Sequence, residues 1–507
     1  TGFTGAVRFA LRDLLLSLSA SHQKLITRVA IYGAGEAGAQ LSASLRLAGN
    51  HQVVSFFDDA PNLWNRSING IRILPPQMLS RLNGQIDQVL LAIPSVPRRE
   101  RRRIVADLQR QNIPVLQIPS VDDLIAGRAS IDTLRPVAIE DLLGRDVVPA
   151  SPQLIGPGMK GAVFCVTGAG GSIGSELCRQ IMHLAPQQLI LLDNSEPSLY
   201  AIEQELRGVW TDDNLQIIPV LGSAADATLV KQLFTDYNVQ VVFHAAAYKH
   251  VPLVEANPLA GLVNNVLSTR VICNAAACEG VKEVLLISTD KAVRPSNVMG
   301  ASKRLAELVV QAYALESMDN TNRSRRPNTC FAMVRFGNVL DSSGSVVPLF
   351  RRQIATGGPI TLTHPDIIRY FMTIPEAAHL VLQAATLAQG GDVFLLDMGE
   401  PVRIKDLAEQ MVLLSGLSLR DAHNTPDGDI EIICTGLRPG EKLYEELLIE
   451  AKSEETPHSL IYRAKERSIS PDLLWARLDA LDDALTSHDQ DAALDILSEL
   501  VPEWKRH

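Results

Sequence analysis

The strongest constraint on the fold is a pattern that occurs twice: a short apolar strand, a glycine-rich turn and the start of a helix. The first copy is RVAIYGAGEAGAQ (residues 28–40), which puts Gly33, Gly35 and Gly38 in a G-x-G-x-x-G spacing. A further strand, HQVVSFFDD, then ends at Asp58 and Asp59. The second copy is GAVFCVTGAGGSIGSEL (161–177), with Gly168, Gly171 and Gly174, and its next strand, QQLILLDNSE, ends at Asp193. Glycines permit a tight turn and close backbone approach, so that a pyrophosphate can rest on the helix N-terminus. An acidic residue closing the next strand can accept from ribose hydroxyls. One such turn is weak evidence alone, so each copy has to be judged by the residues beyond it.

Around the first copy, support is thin. GIRIL, DQVLLAIP and PVLQIP read as short strands, and a helix at about 97–111 carries Arg98, Arg99, Arg101, Arg102 and Arg103. A solvated helix face explains those arginines better than an anion site. No catalytic constellation precedes residue 140, so residues 28–135 read as a Rossmann-like domain that is regulatory, architectural or vestigial. The proline- and glycine-bearing stretch 136–160 reads as a connector.

The second copy leads into a full alternation of strands and helices, which predicts a doubly wound parallel sheet with ligands at the carboxyl ends of its strands. The TGxxGxxG spacing resembles the extended short-chain dehydrogenase/reductase family. That resemblance assigns cofactor contacts to Gly168, Ala169, Gly171, Ser172, Ile173 and Gly174 in the turn, and to Asp193, Asn194 and Ser195 beyond the next strand. It adds Ser223 and Ala224 in LGSAAD (221–226), Ala245, Ala246 and Ala247 in VVFHAAAYKH (241–250), and Asn265 in NNVLST (264–269). Asp193 would accept from a free 2′-hydroxyl and repel a 2′-phosphate, which favours NAD over NADP.

The most informative stretch is LLISTDKAVRPSNVMGASKRLAE (285–307). A strand ends at Ser288, Thr289, Asp290 and Lys291, and a helix begins near 296–300. Most members of the extended family carry Tyr-x-x-x-Lys on this helix, whereas here the pair is Met299 and Lys303. Spacing i, i+4 keeps both on one helix face, but a thioether cannot move a proton. An acid and a potential base nevertheless stand side by side at Asp290 and Lys291.

Thr-Asp-Lys with Met in place of Tyr resembles the UDP-N-acetylglucosamine 4,6-dehydratases of bacterial surface glycan pathways, and among them the large membrane-associated class. The stretches AAAYKHVPLVEANP (245–258), RFGNVLDSSGSVVPLF (335–350), GGPITLTHPDIIRYFMTIPEAAHLV (357–381) and TGLRPGEKLYEELL (435–448) agree with that family in order. The resemblance covers residues 28–450 and implies catalytic roles for Thr289, Asp290, Lys291, Met299 and Lys303. Lys291 would take the C5 proton and Asp290 would protonate the departing C6 hydroxyl, with the pKa of Lys291 lowered by burial and by Lys303. Substrate contacts fall to Lys249, His250, Asn338, Arg369, Arg438 and Glu441. The expected catalytic domain spans 161–450, and 451–507 reads as a helical appendage without chemistry.

Two rival readings remain. A UDP-sugar 4-epimerase shares the fold and NAD, but it should keep the tyrosine and needs no acid–base pair at C5 and C6. A non-catalytic nucleotide-sugar-binding scaffold would leave the sugar unchanged. A net charge of −10 excludes a general nucleic-acid binder. The six cysteines (165, 178, 273, 278, 330 and 434) form no CxxC pair and read as buried reduced thiols, and no metal is called for.

The family resemblance also bears on location. No run of about 18 apolar residues occurs, yet the chain starts at Thr1, and Val7, Leu11, Leu14, Leu15 and Leu18 recur at helical spacing among Arg8, Arg12 and Lys24. Residues 1–27 therefore read as an amphipathic, juxtamembrane-like segment. The parent protein is expected at the cytoplasmic face of the bacterial inner membrane through a region preceding this chain, with the present stretch itself soluble. A homo-oligomer, a dimer or larger, is expected through the helices after strands four and five.

Overall fold

The computed structural model describes residues 27–48, 51–109 apart from 83, 95 and 97, then 113, 115–117, 135–136, 159–210, 215–318, 329–421, 426–446 apart from 439, and 453–506 apart from 465. The amphipathic N-terminal segment and most of the 136–160 connector lie outside these. The chain forms two compact units, one of Thr1–Leu143 with Gln410–Asp429, the other of Gly144–Glu409 with Ile430–His507. Residues 410–429 thus leave the single 161–450 domain expected from sequence.

In the first unit, strands β1 (Thr27–Tyr32), β2 (His51–Phe57), β3 (Ser67–Ile68), β4 (Ile71–Leu74), β5 (Gln88–Leu91), β6 (Val115–Gln117) and β7 (Arg135–Pro136) form one sheet in the order β3-β4-β2-β1-β5-β6-β7. β1 runs parallel to both β2 and β5. After β1 the chain turns at Gly33 (φ +107°), where a Cβ would lie 2.5 Å from the Ala92 carbonyl oxygen, and enters helix α1 (Glu36–Ala48). Asp58 fastens this turn, accepting from the Ala34 N–H at 2.8 Å and the Ala60 N–H at 2.9 Å. On the basic helix α2 (Arg98–Gln109), Arg103 pairs with Glu100 at 2.9 Å, and Arg101 donates to the Pro94 carbonyl at 3.1 Å.

The second unit is built on β8 (Val163–Thr167), β9 (Gln188–Asp193), β10 (Gln216–Leu221), β11 (Val241–His244), β12 (Glu283–Ile287), β13 (Cys330–Arg335), β14 (Val393–Leu396), β15 (Ser453–Glu455) and β16 (Ile461–Ala464), in the order β10-β9-β8-β11-β12-β13-β14-β16-β15. Strands β8 to β14 pair in parallel, while β16 runs antiparallel to β14 and β15 antiparallel to β16. The central strands are apolar without alternation because helices cover both faces. On one face α3 (Ser172–Met182), α4 (Glu196–Val209) and α8 (Ile374–Leu387) bury Leu177, Ile202 and Val381. On the other, α5 (Ala227–Tyr237), α6 (Ser268–Glu279) and α7 (Val298–Met318) bury Leu233, Ile272 and Leu305.

One expectation is corrected by this packing. The stretch after residue 450 is more than an appendage, since β15 and β16 extend the main sheet. Helix α9 (Pro471–Thr486) buries Leu474, Leu478 and Leu481, and helix α10 (Gln490–Leu500) buries Leu494 and Leu497, in the core that holds α6 and α7. Each fully buried leucine contributes about 2 kcal/mol. Helices α6 and α7 also pack on α9: Arg270 pairs with Asp479 at 2.5 Å, the Tyr313 and Trp475 rings meet at a tilt with centroids 4.7 Å apart, and the Trp475 indole N–H donates to Glu316 at 2.6 Å. The cysteines are all free; Cys165, Cys178 and Cys273 are buried, but Cys278 and Cys434 are exposed, because they fall at a helix end and a strand end.

Candidate active site

At the carboxyl edge of the second sheet a cavity of about 820 Å³ runs from the glycine turn after β8 to the loop carrying Arg438. The turn is set by close approach. Gly168 has φ +66°, and a Cβ there would lie 2.8 Å from the Ala246 nitrogen, while one on Gly174 would lie 2.0 Å from the Gly168 carbonyl oxygen. Helix α3 starts after Gly171 with no side chain capping it, which leaves its first N–H groups free for an anion. Gly168, Gly171, Ser172, Ile173, Gly174, Ala245 and Ala247 line the cavity.

The other expected cofactor contacts lie outside that lining. Asp193 uses its carboxylate to hold the turn, accepting from the Gly170 N–H and the Ser195 N–H at 2.8 Å each. Each oxygen keeps a second lone pair for a ribose hydroxyl. Asn194, Ser195, Ser223 and Ala224 belong to the loops beside it, and Ala169 and Ala246 back the turn. Asn265 lies one layer behind the wall, in a π-helical turn (Val263–Leu267) of the kind that often marks functional positions. It accepts from the Tyr248 N–H at 2.8 Å, donates to the Tyr248 carbonyl at 3.1 Å and donates to Ser302 at 2.9 Å, so it fixes the loop that carries Lys249.

The reactive end is built where β12 stops. The Ser288 N–H donates to the Val334 carbonyl and the Asp290 N–H to the Phe336 carbonyl, which continues the β12–β13 ladder past the strand. The chain then tightens into a 3₁₀ turn at Asp290–Ala292. Thr289 Oγ1 donates to Asp290 Oδ1 at 2.9 Å, and Lys291 Nζ donates to the same oxygen at 3.0 Å and to Asn338 Oδ1 at 3.2 Å. Asp290 is only 2% exposed, and Gly337 makes room for it, since a Cβ there would lie 3.0 Å from Asp290 Oδ2.

Helix α7 begins as the sequence predicts, with Asn297 Oδ1 accepting from the Gly300 N–H and the Glu255 carboxylate from the Val298 N–H. Met299 and Lys303 both reach the cavity wall, and Lys303 Nζ donates to the Ile287 carbonyl at 2.7 Å. Burial pushes Lys303 down to about 8.

The expected lowering of Lys291 is overturned. Burial does pull its pKa down, but the carboxylates of Asp290 and Glu445 outweigh that, so the net shift is upward. Lys291 therefore rests as an ammonium, and Lys303 is not what tunes it. Lys249, at the cavity mouth, is lowered by its partly buried surroundings and by Lys291.

Further out, Arg369 is 8% exposed and held by the carbonyls of Ile368, Lys442 and Leu443. Glu441 accepts from Thr363 Oγ1 at 3.0 Å and from the Arg438 N–H at 3.1 Å. Lys249, His250, Asn338, Arg369, Arg438 and Glu441 all line the same cavity, so the substrate set is gathered in one place. His250 packs on Gly344, where a Cβ would lie 2.2 Å from its ring. Sequence reasoning missed Glu445, whose Oε1 lies 3.4 Å from Lys291 Nζ and 3.4 Å from Arg369 Nε. Its only sequence signal was a second acid beside Glu446 in a stretch rich in polar contacts.

Behind the reactive turn sits a buried charge cluster. Arg335, fully buried, makes paired hydrogen bonds to Glu307 at 2.6 and 2.7 Å and to Glu466 at 2.6 and 2.7 Å. Arg304 joins both acids at 3.1 Å, and Ser288 Oγ donates to Glu307 at 2.6 Å.

Fold and site together define a Rossmann-type domain of the extended short-chain dehydrogenase/reductase class. Residues 164–466, more than half the chain, match the model of a family described as polysaccharide biosynthesis protein, and the chain belongs to that family. The capsular polysaccharide biosynthesis protein CapD of Staphylococcus aureus is 44% identical over 393 residues, 77% of this chain and 62% of that protein. The probable polysaccharide biosynthesis protein EpsC of Bacillus subtilis is 40% identical over 427 residues, 83% of this chain and 68% of that one. The chain thus spans roughly two thirds of the length of these relatives. The crystal structure of Pen from Bacillus thuringiensis superposes with a TM-score of 0.53 at 28% identity, covering 63% of this chain and 98% of that one. Among the described residues no helix is long and apolar enough to cross a membrane.

Proposed function

We propose that this chain is a nucleotide-sugar-modifying enzyme, and that its reaction is the NAD-dependent 4,6-dehydration of UDP-N-acetylglucosamine to a 4-keto-6-deoxy product for bacterial surface glycans. The coarser part is supported by membership in a polysaccharide biosynthesis family and by UDP-glucose 4-epimerases 37–38% identical over 42% of the chain. The dehydration itself is carried by one observation: Thr289, Asp290 and Lys291 form a hydrogen-bonded acid–base unit at the cavity, while Met299 stands where an epimerase needs its tyrosine.

Gly168, Gly171 and Gly174 leave a cradle that would admit NAD, and Asp193 and Lys303 would hold it there. When bound, NAD would supply reversible hydride acceptance. Arg369, Arg438 and Lys249 hold the diphosphate, Arg through its forked donors, and His250, Asn338 and Glu441 hold sugar and ribose hydroxyls.

Thr289 holds the C4 oxygen and passes its proton to Asp290, 2.9 Å away. Asp290, now neutral, protonates the departing C6 hydroxyl, and Lys291 removes the C5 proton and later returns it. The proton lost at C4 leaves in the water eliminated from C6, so the count closes. In the resting state Lys291 is an ammonium, held so by the neighbouring carboxylates against the pull of burial. The pair reaches its working state only after Asp290 has been loaded by the first step.

The test is incubation of purified protein with UDP-N-acetylglucosamine and no added NAD, followed by mass spectrometry. Loss of the mass of one water with no reduced cofactor building up supports dehydration. Unchanged mass with an inverted C4 supports the epimerase, and an unchanged sugar in the presence of NAD supports the scaffold. For the parent protein we propose the cytoplasmic face of the inner membrane and a homo-oligomer. A 45% identical relative, described as an uncharacterized membrane protein of Methanocaldococcus jannaschii, is in keeping with the first.

A further inference from the structure

Glu445 has no part in the proposed dehydration steps, and its surroundings give it one. Its side chain is 4% exposed. Through Oε1 it faces both Lys291 and Arg369 at 3.4 Å, while Oε2 is buried without a hydrogen-bond partner among the described residues. A buried carboxylate oxygen left unpaired is costly while charged. Glu441, by contrast, has both oxygens engaged, by Thr363 and by the Arg438 N–H. Glu445 and Lys291 also share the wall of a small chamber of about 230 Å³ that adjoins the main cavity.

Resting on the dehydratase reading, the geometry points to Glu445 as the positioning residue that holds the proton Lys291 must shed before it can act as a base at C5. The ammonium faces Asp290 at 3.0 Å, Glu445 at 3.4 Å and the Asn338 amide oxygen at 3.2 Å, with the cations Arg369 and Lys249 nearby. As long as both acids are ionised, the proton stays on Lys291. Once Asp290 has taken the C4 hydroxyl proton, half of that attraction is gone, and burial favours losing the remaining charges. A Lys291 N–H bond then breaks as a Glu445 O–H bond forms, which turns an ammonium and a carboxylate into an amine and a carboxylic acid with no net change of charge. Lys291 takes the C5 proton and returns it to C5, and Glu445 finally hands its own proton back. No proton enters or leaves through Glu445.

The test compares the full chain with Glu445→Gln and Glu445→Asp, each given UDP-N-acetylglucosamine in deuterated water. C4 oxidation is read from reduced-cofactor absorbance, C5 exchange from deuterium in the sugar, and dehydration from product mass. We expect Glu445→Gln to oxidise C4 and build up reduced cofactor, with C5 exchange and dehydration slowed on the order of 10²-fold and KM little changed. Glu445→Asp recovers part of the loss. C5 exchange at the wild-type rate in Glu445→Gln overturns the proposal, and so does loss of C4 oxidation in step with C5 exchange. If Glu445→Gln does not fold, Glu445→Asp decides by the same split between the two steps. A wild type that never loses water refutes the dehydratase reading itself, on data separate from the variants, and the proposal falls with it.

Discussion

Replacing Glu307 by Gln tests whether the buried charge cluster supports the reactive turn. Glu307 is fully buried between Arg335 and Arg304 and accepts from Ser288, the residue that precedes Thr289. Burial by itself would raise its pKa, but the two guanidiniums and the Ser288 hydroxyl more than reverse this, to about 2. Removing one partner of a buried ion pair costs about 3–5 kcal/mol, because the other charges stay behind uncompensated. The pKa gives a similar size: a drop from 4.5 to about 2, at about 1.4 kcal/mol per unit, is roughly 3 kcal/mol.

For a domain this large, about 2 °C per kcal/mol predicts a Tm lower by roughly 6–10 °C at pH 7. The folded-state pKa lies below the unfolded one, so the stabilisation is fully present above pH 4.5 and disappears as pH falls toward 2. The gap between wild type and Glu307→Gln should therefore close over that interval, read by circular dichroism melts on both proteins. A variant that melts within ~2 °C of wild type at pH 7, or a gap that does not change with acid, would show that the cluster is not what holds the turn.

Other outcomes rest on single contacts. Gly174→Ala puts a Cβ 2.0 Å from the Gly168 carbonyl oxygen, so NAD affinity measured by fluorescence titration should fall at least ~tenfold through displacement of the turn; unchanged affinity would remove the turn from the cofactor site. Lys291→Ala should slow dehydration by about 10²–10⁴-fold, and a near-wild-type rate would make the base assignment wrong. Thr289→Val should depress C4 oxidation itself, seen as slower appearance of reduced cofactor in a single turnover; an unaffected burst would mean that the C4 proton leaves by another route. Leu478→Ala, at a fully buried position of α9, should cost about 2–5 kcal/mol, and a loss below ~0.5 kcal/mol would contradict the packing of α9 against α7.

The sheets and the two turns were legible because they rest on local patterns, apolar runs and glycine spacing, whereas Thr289, Lys291, Met299, Asn338, Arg369, Arg438 and Glu441, which line one cavity, were named through the motifs of the family resemblance. What was not legible depends on partners far apart in the chain. The charge state of Lys291 is set by the neighbouring Asp290 together with Glu445, 154 positions later, and no spacing rule links Lys291 to the second of these. Arg335 reads as the first residue of RFGNV until Glu466 is seen beside it. Residues 468–507 show helical spacing in the sequence, but which face of the sheet they cover is decided by Arg270, Tyr313 and Glu316.

The two glycine turns are fastened alike. Each leads to a strand ending in an aspartate, and in both that aspartate accepts from N–H groups of the turn and of the loop after the strand: Asp58 from Ala34 and Ala60, Asp193 from Gly170 and Ser195. The acid is thus first a folding device, satisfying buried donors that a tight turn would otherwise leave unpaired. A ribose contact is a second use of its remaining lone pairs. The turn and its acid therefore explain why both units fold alike without showing that both bind a dinucleotide. In the second unit the turn stands in a particular setting: a helix N-terminus left uncapped, a large cavity and a hydrogen-bonded Thr-Asp-Lys at its far end. Chemistry arises from that juxtaposition, and the glycine pattern alone cannot supply it.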